Sequence, residues 1–476
     1  ELDTKPRPAG NCGPFLFNHL IQNIKMKILK FGGTSVGSAE RIRSIAKLLP
    51  TNEPCVVVLS AMAGTTNALI EITKDAMSGK MLNAIEKTKN LEDKYISTIE
   101  KLYISKTYRN RGEEFITDAF QQIIRKLIDG FSDKDSREIV AFGEILSTGL
   151  FHMHLTEQGK KSAYISALRF MRTDKDKEPD YYYIEESIER TISSNPFAQV
   201  YITEGFICRN SIGEIDNLGR GGSDYTAAII GNALNATEVQ IWTDIDGLHN
   251  NDPRFVENTS PLRSLSYDEA AELAYFGAKI LHPATIQPCR VKGIPVLLKN
   301  TLQPEDEGTL ITAFHNPQGV KAIAAKDGIT AINIRSSRML LAYGFLNKVF
   351  EVFNQHRTAV DMITTSEVSI SLTIDNTENL NAITKQLSAF SSIDVEQNQT
   401  IICIVGDFVA NRNGYAALVF GALKEIPIRM ISYGGSNNNI SVLIDSENKV
   451  KALQALQGIV DNSTEINSEL VTQTIN

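Results

Sequence analysis

The 476-residue chain lacks several things, and each absence narrows what it does. No apolar run approaches the roughly 18 residues that a membrane-crossing helix needs. No block of Lys and Arg appears, and 48 basic against 56 acidic side chains leave a formal net charge of −8. That balance argues against a nucleic-acid surface, and any anionic ligand must meet cations gathered locally. The five cysteines, at positions 12, 55, 208, 289 and 403, are odd in number and lack metal-binding spacing, which implies free thiols in a reducing cytosol. His152, His154, His282 and the remaining histidines show no ligand spacing, and no Ser-His-Asp or Cys-His nucleophile arrangement is legible. Both common nucleotide fingerprints, G-x-x-x-x-G-K-[ST] and G-x-G-x-x-G, are missing.

What is present is an ordinary globular composition, 42% apolar and 22% charged, on a chain long enough for two to four domains. Residues 1–25 have three prolines in the first fourteen positions and no amphipathic period, and are expected to be a leader outside the fold. From Met26 to about residue 315 short apolar runs alternate with helical patterns. The strands expected are Met26–Phe31, Cys55–Ser60, Gln199–Ile207, Glu238–Asp244 and Ile294–Lys299; the helices include Ala39–Leu49, Glu113–Asp129, Ser136–His154, Ser223–Asn235 and Ser266–Phe276. This alternation predicts an α/β domain around a largely parallel sheet, with a helical, charged insertion over about 68–135. After Thr301 come two linker-like turns, Gln303–Gly308 and Asn316–Gly319. Beyond them the chain repeats at a spacing of 70: Ser369–Asp375 matches Asn439–Asp445, Ile332 matches Ile402, and Gly344 matches Gly414. Each copy reads as an α+β unit.

The chemistry sits in separated segments. Lys30-Phe31-Gly32-Gly33-Thr34-Ser35-Val36-Gly37 closes the first strand and precedes a helix, so backbone amides and a lysine meet where a phosphate would sit. Tight packing alone also produces such a turn. Gly219-Arg220-Gly221-Gly222-Ser223-Asp224 follows Glu204-Gly205-Phe206 and a polar loop. Its glycines admit a ligand close to the backbone, its arginine grips a carboxylate in bidentate fashion, and Ser223 or Asp224 is expected to cap the next helix. Trp242-Thr243-Asp244-Ile245-Asp246-Gly247 fits either an Asp-Gly turn or carboxylates on Mg²⁺ or a ribose. Lys279, in Phe276-Gly277-Ala278-Lys279-Ile280-Leu281-His282-Pro283, ends a helix, where a lysine complements the dipole in any protein. Glu144 lies on an otherwise apolar helix face and needs a partner, either an internal cation or a substrate ammonium.

Together these segments resemble the aspartate kinases of the amino-acid kinase superfamily, in particular the monofunctional, lysine-sensitive type. The resemblance runs from Met26 to about residue 460 and implies an amino-acid kinase domain over 26–315. Two ACT modules of ferredoxin-like βαββαβ form would follow, over 320–395 and 396–476, contiguous or interleaved. It implies transfer of a phosphoryl group from Mg·ATP to the β-carboxylate of L-aspartate, the first step towards lysine, threonine and methionine. A carboxylate nucleophile needs no general base, and the work is positioning and charge stabilisation. By resemblance Lys30 stabilises the phosphates, the amides of Gly32 and Gly33 cradle them beside Thr34, and Asp224 orients the lysines. Arg220, with Gly221 and Gly222, clamps the substrate α-carboxylate and Glu144 its ammonium, while Thr66 and Ser223 supply hydroxyls. Thr243, Asp244 and His249 face adenosine, and Arg254 and Lys279 face the phosphates, which themselves hold the Mg²⁺. Met339, Phe345, Leu346, Val360, Asp361, Ser366 and Glu367 match a lysine-binding segment, with Asp361 and Glu367 as anionic partners. Paired ACT modules imply a homodimer or tetramer; the cysteines, net charge and short apolar runs imply a cytoplasmic protein with no nucleic-acid or membrane partner.

Four features depart from that pattern. His249 stands where a tyrosine is common, Glu214–Asn217 replaces a threonine-rich run, and Ala342 and Ala359 stand where serine is frequent. Two other readings are a catalytically silent ACT sensor, which loss of the phosphate-binding lysine or the substrate arginine would mark although neither is lost, and a superfamily kinase acting on glutamate, N-acetylglutamate or UMP.

Overall fold

The computed structural model describes residues 25–219, 221–277, 281, 283–314, 319–336, 343–407 and 414–460. By its internal contacts the chain divides into two units: residues up to Asp246 with Ala284–Leu310, and Gly247–Pro283 with the chain from Ile311 onward.

The first unit begins β1 (Lys27–Phe31), α1 (Ala39–Leu48), β2 (Cys55–Leu59), α2 (Thr65–Met77), α3 (Met81–Leu102), α4 (Lys106–Ile128) and α5 (Asp133–Glu157). It continues β3 (Ser162–Tyr164), α6 (Tyr181–Ser193), β4 (Val200–Glu204), the hairpin strands β5 (Ile207–Arg209) and β6 (Ile215–Asn217), α7 (Gly222–Ala233) and β7 (Glu238–Thr243). Six strands run parallel in the order β3-β4-β2-β1-β7-β9, where β9 is Val296–Asn300. Burial explains the run of apolar residues in β2: all five are buried, as expected of a parallel strand covered on both faces. Helices α1 to α5 cover one face around Leu29, Phe31, Val57, Leu59, Tyr95, Phe120 and Phe151. The helical insertion thus begins at Thr65, and α4 starts seven residues before the expected Glu113. The stretch expected as one strand over Gln199–Ile207 is broken after Glu204. There Gly205 donates its amide back to Leu59 and Phe206 takes a positive φ of 66°, so the chain leaves the sheet into the hairpin.

The second unit holds β8 (Ser264–Ser266) and α8 (Tyr267–Phe276), the latter opened by a capping box between Ser266 and Glu269. Helix α9 (Pro283–Lys292) and β10 (Thr309–Thr312) span the division between the units. Then follow β11 (Gly319–Arg335), α10 (Phe345–Gln355), β12 (Ile363–Thr365), β13 (Ser369–Ile374), α11 (Leu380–Leu387), β14 (Ser392–Asp407), α12 (Tyr415–Ala422), β15 (Ile428–Tyr433), β16 (Asn439–Asp445) and a helix over 449–460. One antiparallel sheet runs β12-β13-β11-β14-β16-β15.

The repeat of 70 is visible in this geometry: β13 and β16 occupy equivalent positions, and Gly344 and Gly414 both cap helices in the left-handed conformation. The modules are nested rather than consecutive. Strand β11 is 17 residues long and serves both cores, Val320 and Ile323 packing with Ile402, Val419 and Val442, and Ile332 and Ile334 with Phe345, Ile370 and Leu387. The register slips between Lys326 and Ala331, which marks the joint. A boundary at 395/396 therefore falls inside β14, and strand residues 320–326 serve the second module.

Residues Gly247–Pro283, expected in the catalytic domain, pack with the C-terminal unit. Glu269 on α8 forms a buried ion pair with Lys321 on β11 at 2.8 Å, and Glu272 accepts from Asn439. A Cβ on Gly277 would fall within 2.6 Å of the Ala325 carbonyl, so the end of α8 lies directly on β11.

Candidate functional site

In the first unit, the carboxyl ends of the parallel strands converge on a cleft of about 800 Å³, the usual ligand position in an open parallel sheet. Leu29 and Phe31 turn into the helix-covered core, so Lys30 faces the opposite way. It is 8% exposed, and its Nζ lies 2.5 Å from Asp224 Oδ1. Asp224 reaches it from the first turn of α7. The expectation that Ser223 or Asp224 caps that helix is corrected here: the cap is Gly221, in the left-handed conformation at φ 72°, with no side-chain hydrogen bond. Glycine adopts that conformation without a Cβ clash, so Ser223 and Asp224 lie inside the first turn and line the cleft. Gly205 permits this close approach, because a Cβ there would sit 2.5 Å from that of Ser223.

The turn after β1 differs in one respect from its reading as a pair of unblocked amides. Gly32 donates its amide to Trp242 at 3.2 Å, so it belongs to the framework that joins β1 to β7. Gly33 lines the cleft, and a Cβ there would meet the Ala61 carbonyl at 2.9 Å. Thr34 accepts at its carbonyl from Gly37 and from Arg41, which holds the turn onto α1.

The same cleft is lined by Glu144, 3% exposed on α5. Its Oε1 accepts from the Ala61 amide at 3.3 Å, while its buried Oε2 has no hydrogen-bond partner among the described residues. Burial pushes its pKa up to about 8; the Ala61 amide opposes the rise and the nearby Glu204 carboxylate adds to it. Of the two partners open to Glu144 from sequence, no internal ammonium or guanidinium pairs with it among the described residues. Glu204 is itself buried, bonded to Tyr164 and the Ala167 amide, and its carboxyl too is held above the usual range by burial.

The cleft gathers Lys30, Gly33, Thr66, Glu144, Gly221, Gly222, Ser223 and Asp224. Thr243 and Asp244 follow the end of β7, beside β1, with the Thr243 hydroxyl donating to Asp244 at 3.2 Å. Arg220, Lys279 and Met339 lie outside the described residues. His249 and Arg254 belong to the second unit, where His249 contacts Thr259 at 3.2 Å. Arg254 is engaged by Asp252, the guanidinium reaching both carboxylate oxygens at 2.6–3.2 Å. Among the described residues, no group of three or more His, Cys, Asp or Glu gathers to hold a metal.

The effector segment is more internally occupied than its acidic residues imply. Asp361 accepts from Tyr275 and Lys326, each at 2.7 Å, so its charge is already compensated within the chain. Phe345 is buried against Phe390 as core, and Val360 packs on the same core. Ser366 bonds Ser369 in the β12–β13 turn. Leu346 and Glu367 are exposed. Arg137, unnoticed in the sequence, also lines the cleft; its signal is a position two helical turns before Glu144 on one face of α5.

A parallel sheet with a lysine, a glycine turn and a helix N-terminus at its strand ends suits phosphoryl transfer, and the chain belongs to the amino acid kinase family. The model of that family matches residues 25–300, and an ACT-domain model matches 332–387 and 402–458. The chain is 33% identical over 443 residues to lysine-sensitive aspartokinase 3 of Escherichia coli, covering 90% of this chain and 98% of that protein. It is 34% identical over 475 residues to the chloroplastic aspartokinase 1 of Arabidopsis thaliana, covering 94% and 82%. The crystal structure of E. coli aspartokinase III with aspartate and ADP, an R-state, superimposes with a TM-score of 0.80 at 32% identity, covering 91% of this chain and 99% of that one. Its T-state complex with lysine and aspartate gives 0.77 at 33% identity with the same coverage. Within the amino acid kinase family, the chain belongs to the aspartokinases.

Proposed function

We propose that the cleft transfers the γ-phosphoryl group of ATP to the β-carboxylate of L-aspartate, releasing ADP and 4-phospho-L-aspartate. The observation that carries the reading is the buried, half-satisfied Glu144 facing the same cleft as the Lys30–Asp224 pair. A carboxylate stripped of water and left one partner short is suited to an incoming ammonium, which offsets the burial cost. The two similar E. coli structures, one with aspartate and ADP, support the same assignment.

Glu144 takes the substrate ammonium, and Arg220 with the amides of Gly221 and Gly222 takes the α-carboxylate. This leaves the β-carboxylate directed at the nucleotide, with Thr66 and Ser223 as hydroxyl donors. Lys30, held in place by Asp224, lies where negative charge spreads over the transferring group, and a fixed cation there favours the transition state more than the ground state. Gly33 and Thr34 line the phosphate end of the turn, while Gly32 braces it. Thr243 and Asp244 serve the nucleoside; the resemblance gives His249 a role at the nucleoside as well, and Arg254 and Lys279 a role at the phosphates. Mg²⁺ bound to the nucleotide would offset part of the phosphate charge, and no side chain here is needed to hold it. The nucleophile is already ionised, so no side chain needs to accept a proton.

The nested ACT modules bind L-lysine as effector through the segments at 339–346 and 360–367, and the chain acts in the cytoplasm as a homodimer or tetramer. In the effector segment Asp361 acts through its bonded neighbours as much as by direct contact, since Lys326 and Tyr275 already occupy it.

The test is incubation with Mg·ATP, L-aspartate and hydroxylamine. Aspartyl hydroxamate and ADP are expected in equal amounts. Folded protein that yields none above background defeats the reading.

A further inference from the structure

Residues Glu214–Asn217, where the sequence departs from the resemblance, lead into the glycine loop. They run through β6, one strand of a two-stranded hairpin of three residues per strand. An isolated pair of this length has little stability of its own. Outside contacts must therefore fix where its end delivers the glycine loop that begins at Gly219.

Arg137 on α5 supplies such contacts. One guanidinium nitrogen, Nη2, donates to Glu214 Oε2 at 3.2 Å, and Nε donates to the Ile215 carbonyl at 3.3 Å. Lys134, one turn earlier, lies 3.7 Å from the other Glu214 oxygen. The guanidinium thus grips a side chain and the adjacent main chain together, which sets direction as well as distance. Beyond β6 the path is also fixed locally: Leu218 donates to the Phe206 carbonyl, and Gly219 to the Asn217 side chain.

Glu144 lies seven residues after Arg137 on the same helix, and both line the cleft. Two turns of α-helix are close to rigid over that span. The glycine loop follows four residues after Ile215, and its Gly219, Gly221 and Gly222 line the same cleft. We infer that the Arg137–Glu214 pair is the positioning clamp that holds Gly219, Gly221 and Gly222 at their working distance from Glu144, and thereby sets the affinity for the amino-acid substrate. Arg137 touches the hairpin rather than the reacting atoms, so it is a positioning residue. The inference rests on the reading of the cleft as an aspartate site.

The pair is about one-third exposed on each side, so its worth to overall stability is small. Its effect belongs in substrate binding. Arg137→Glu and Glu214→Arg each place like charges opposite one another; the double variant restores an opposite pair with the ends exchanged. Each single variant is expected to raise KM for aspartate five- to tenfold. The KM for ATP, kcat and the melting temperature should stay near wild-type values, within twofold for the kinetic constants. The double variant should recover aspartate KM to within threefold of wild type. Unchanged aspartate KM in folded single variants overturns the clamp. So does a double variant as impaired as the singles, or an equal change in ATP KM. Wild-type protein without hydroxamate formation would instead overturn the assignment of the cleft, so the two failures are separable.

Discussion

At the scale of single residues, two carboxylates behave differently because their surroundings differ. Asp224 has Lys30 at 2.5 Å, whereas Glu144 is buried with one oxygen unpartnered and its pKa raised to about 8. Because the folded value lies above the unfolded one, this group contributes stability at low pH and loses it as pH rises from the ordinary carboxylate range through 8. Substrate binding has the opposite preference: an ammonium partner needs the ionised form. Below pH 8, aspartate must therefore displace a proton from Glu144, and its KM should fall as pH rises from 6 to 8, by up to about tenfold per unit. Glu144→Gln should raise aspartate KM at pH 8 by at least about tenfold and flatten that slope, while ATP KM stays unchanged. A profile as steep in the variant as in wild type would assign the dependence to another group. Motif reading found Glu144 by its contrast with an apolar helix face. It did not find Arg137, because a charged residue near the start of a helix reads as solvated surface until the hairpin is seen folded onto it.

At the scale of elements, the site depends on close approaches between strand ends. The β1 turn and the β2 turn meet where Gly33 faces the Ala61 carbonyl, and the amide of Ala61 also holds Glu144. Gly33→Ala would put a methyl carbon 2.9 Å from a main-chain oxygen, so one turn must shift away from the other. The expected outcome is a rise of about tenfold or more in ATP KM, a loss of kcat, and unchanged far-ultraviolet circular dichroism. This is the kind of cost that small misplacements at a phosphoryl-transfer site incur. Retained activity would show that the turn tolerates the shift. The strand–turn–helix order at Lys30–Gly37 was legible because apolar period and glycine punctuation are local properties. That the Gly32 amide is already spent on Trp242 was not, since its acceptor lies over two hundred residues away.

At the scale of the whole molecule, segments expected to meet the nucleotide and segments expected to meet the effector share one unit. His249, Arg254 and α8 pack with the nested ACT modules, and the buried Lys321–Glu269 pair ties α8 to β11. Tyr275, near the end of α8, donates directly to Asp361. A change of state in that unit is then felt by both ligands, and linkage requires the two effects to be equal. L-lysine should inhibit, and L-threonine alone should not. The factor by which saturating lysine weakens binding of an ATP analogue should equal the factor by which the analogue weakens lysine, both read by calorimetry. Unequal factors, or inhibition by threonine only, would refute this account.

The α/β alternation of the first unit, the strand–turn–helix at Lys30–Gly37 and the 70-residue repeat were determined by sequence alone, because hydrophobic period, turn residues and charge act over a few neighbours. Tertiary structure alone decided three further points: that β11 serves both ACT cores, that Gly221 rather than Ser223 or Asp224 caps α7, and that Arg254 and Asp361 are compensated internally. Each depends on which distant group arrives to satisfy a strand edge, a helix end or a buried charge. That choice is made by the packing of the whole chain.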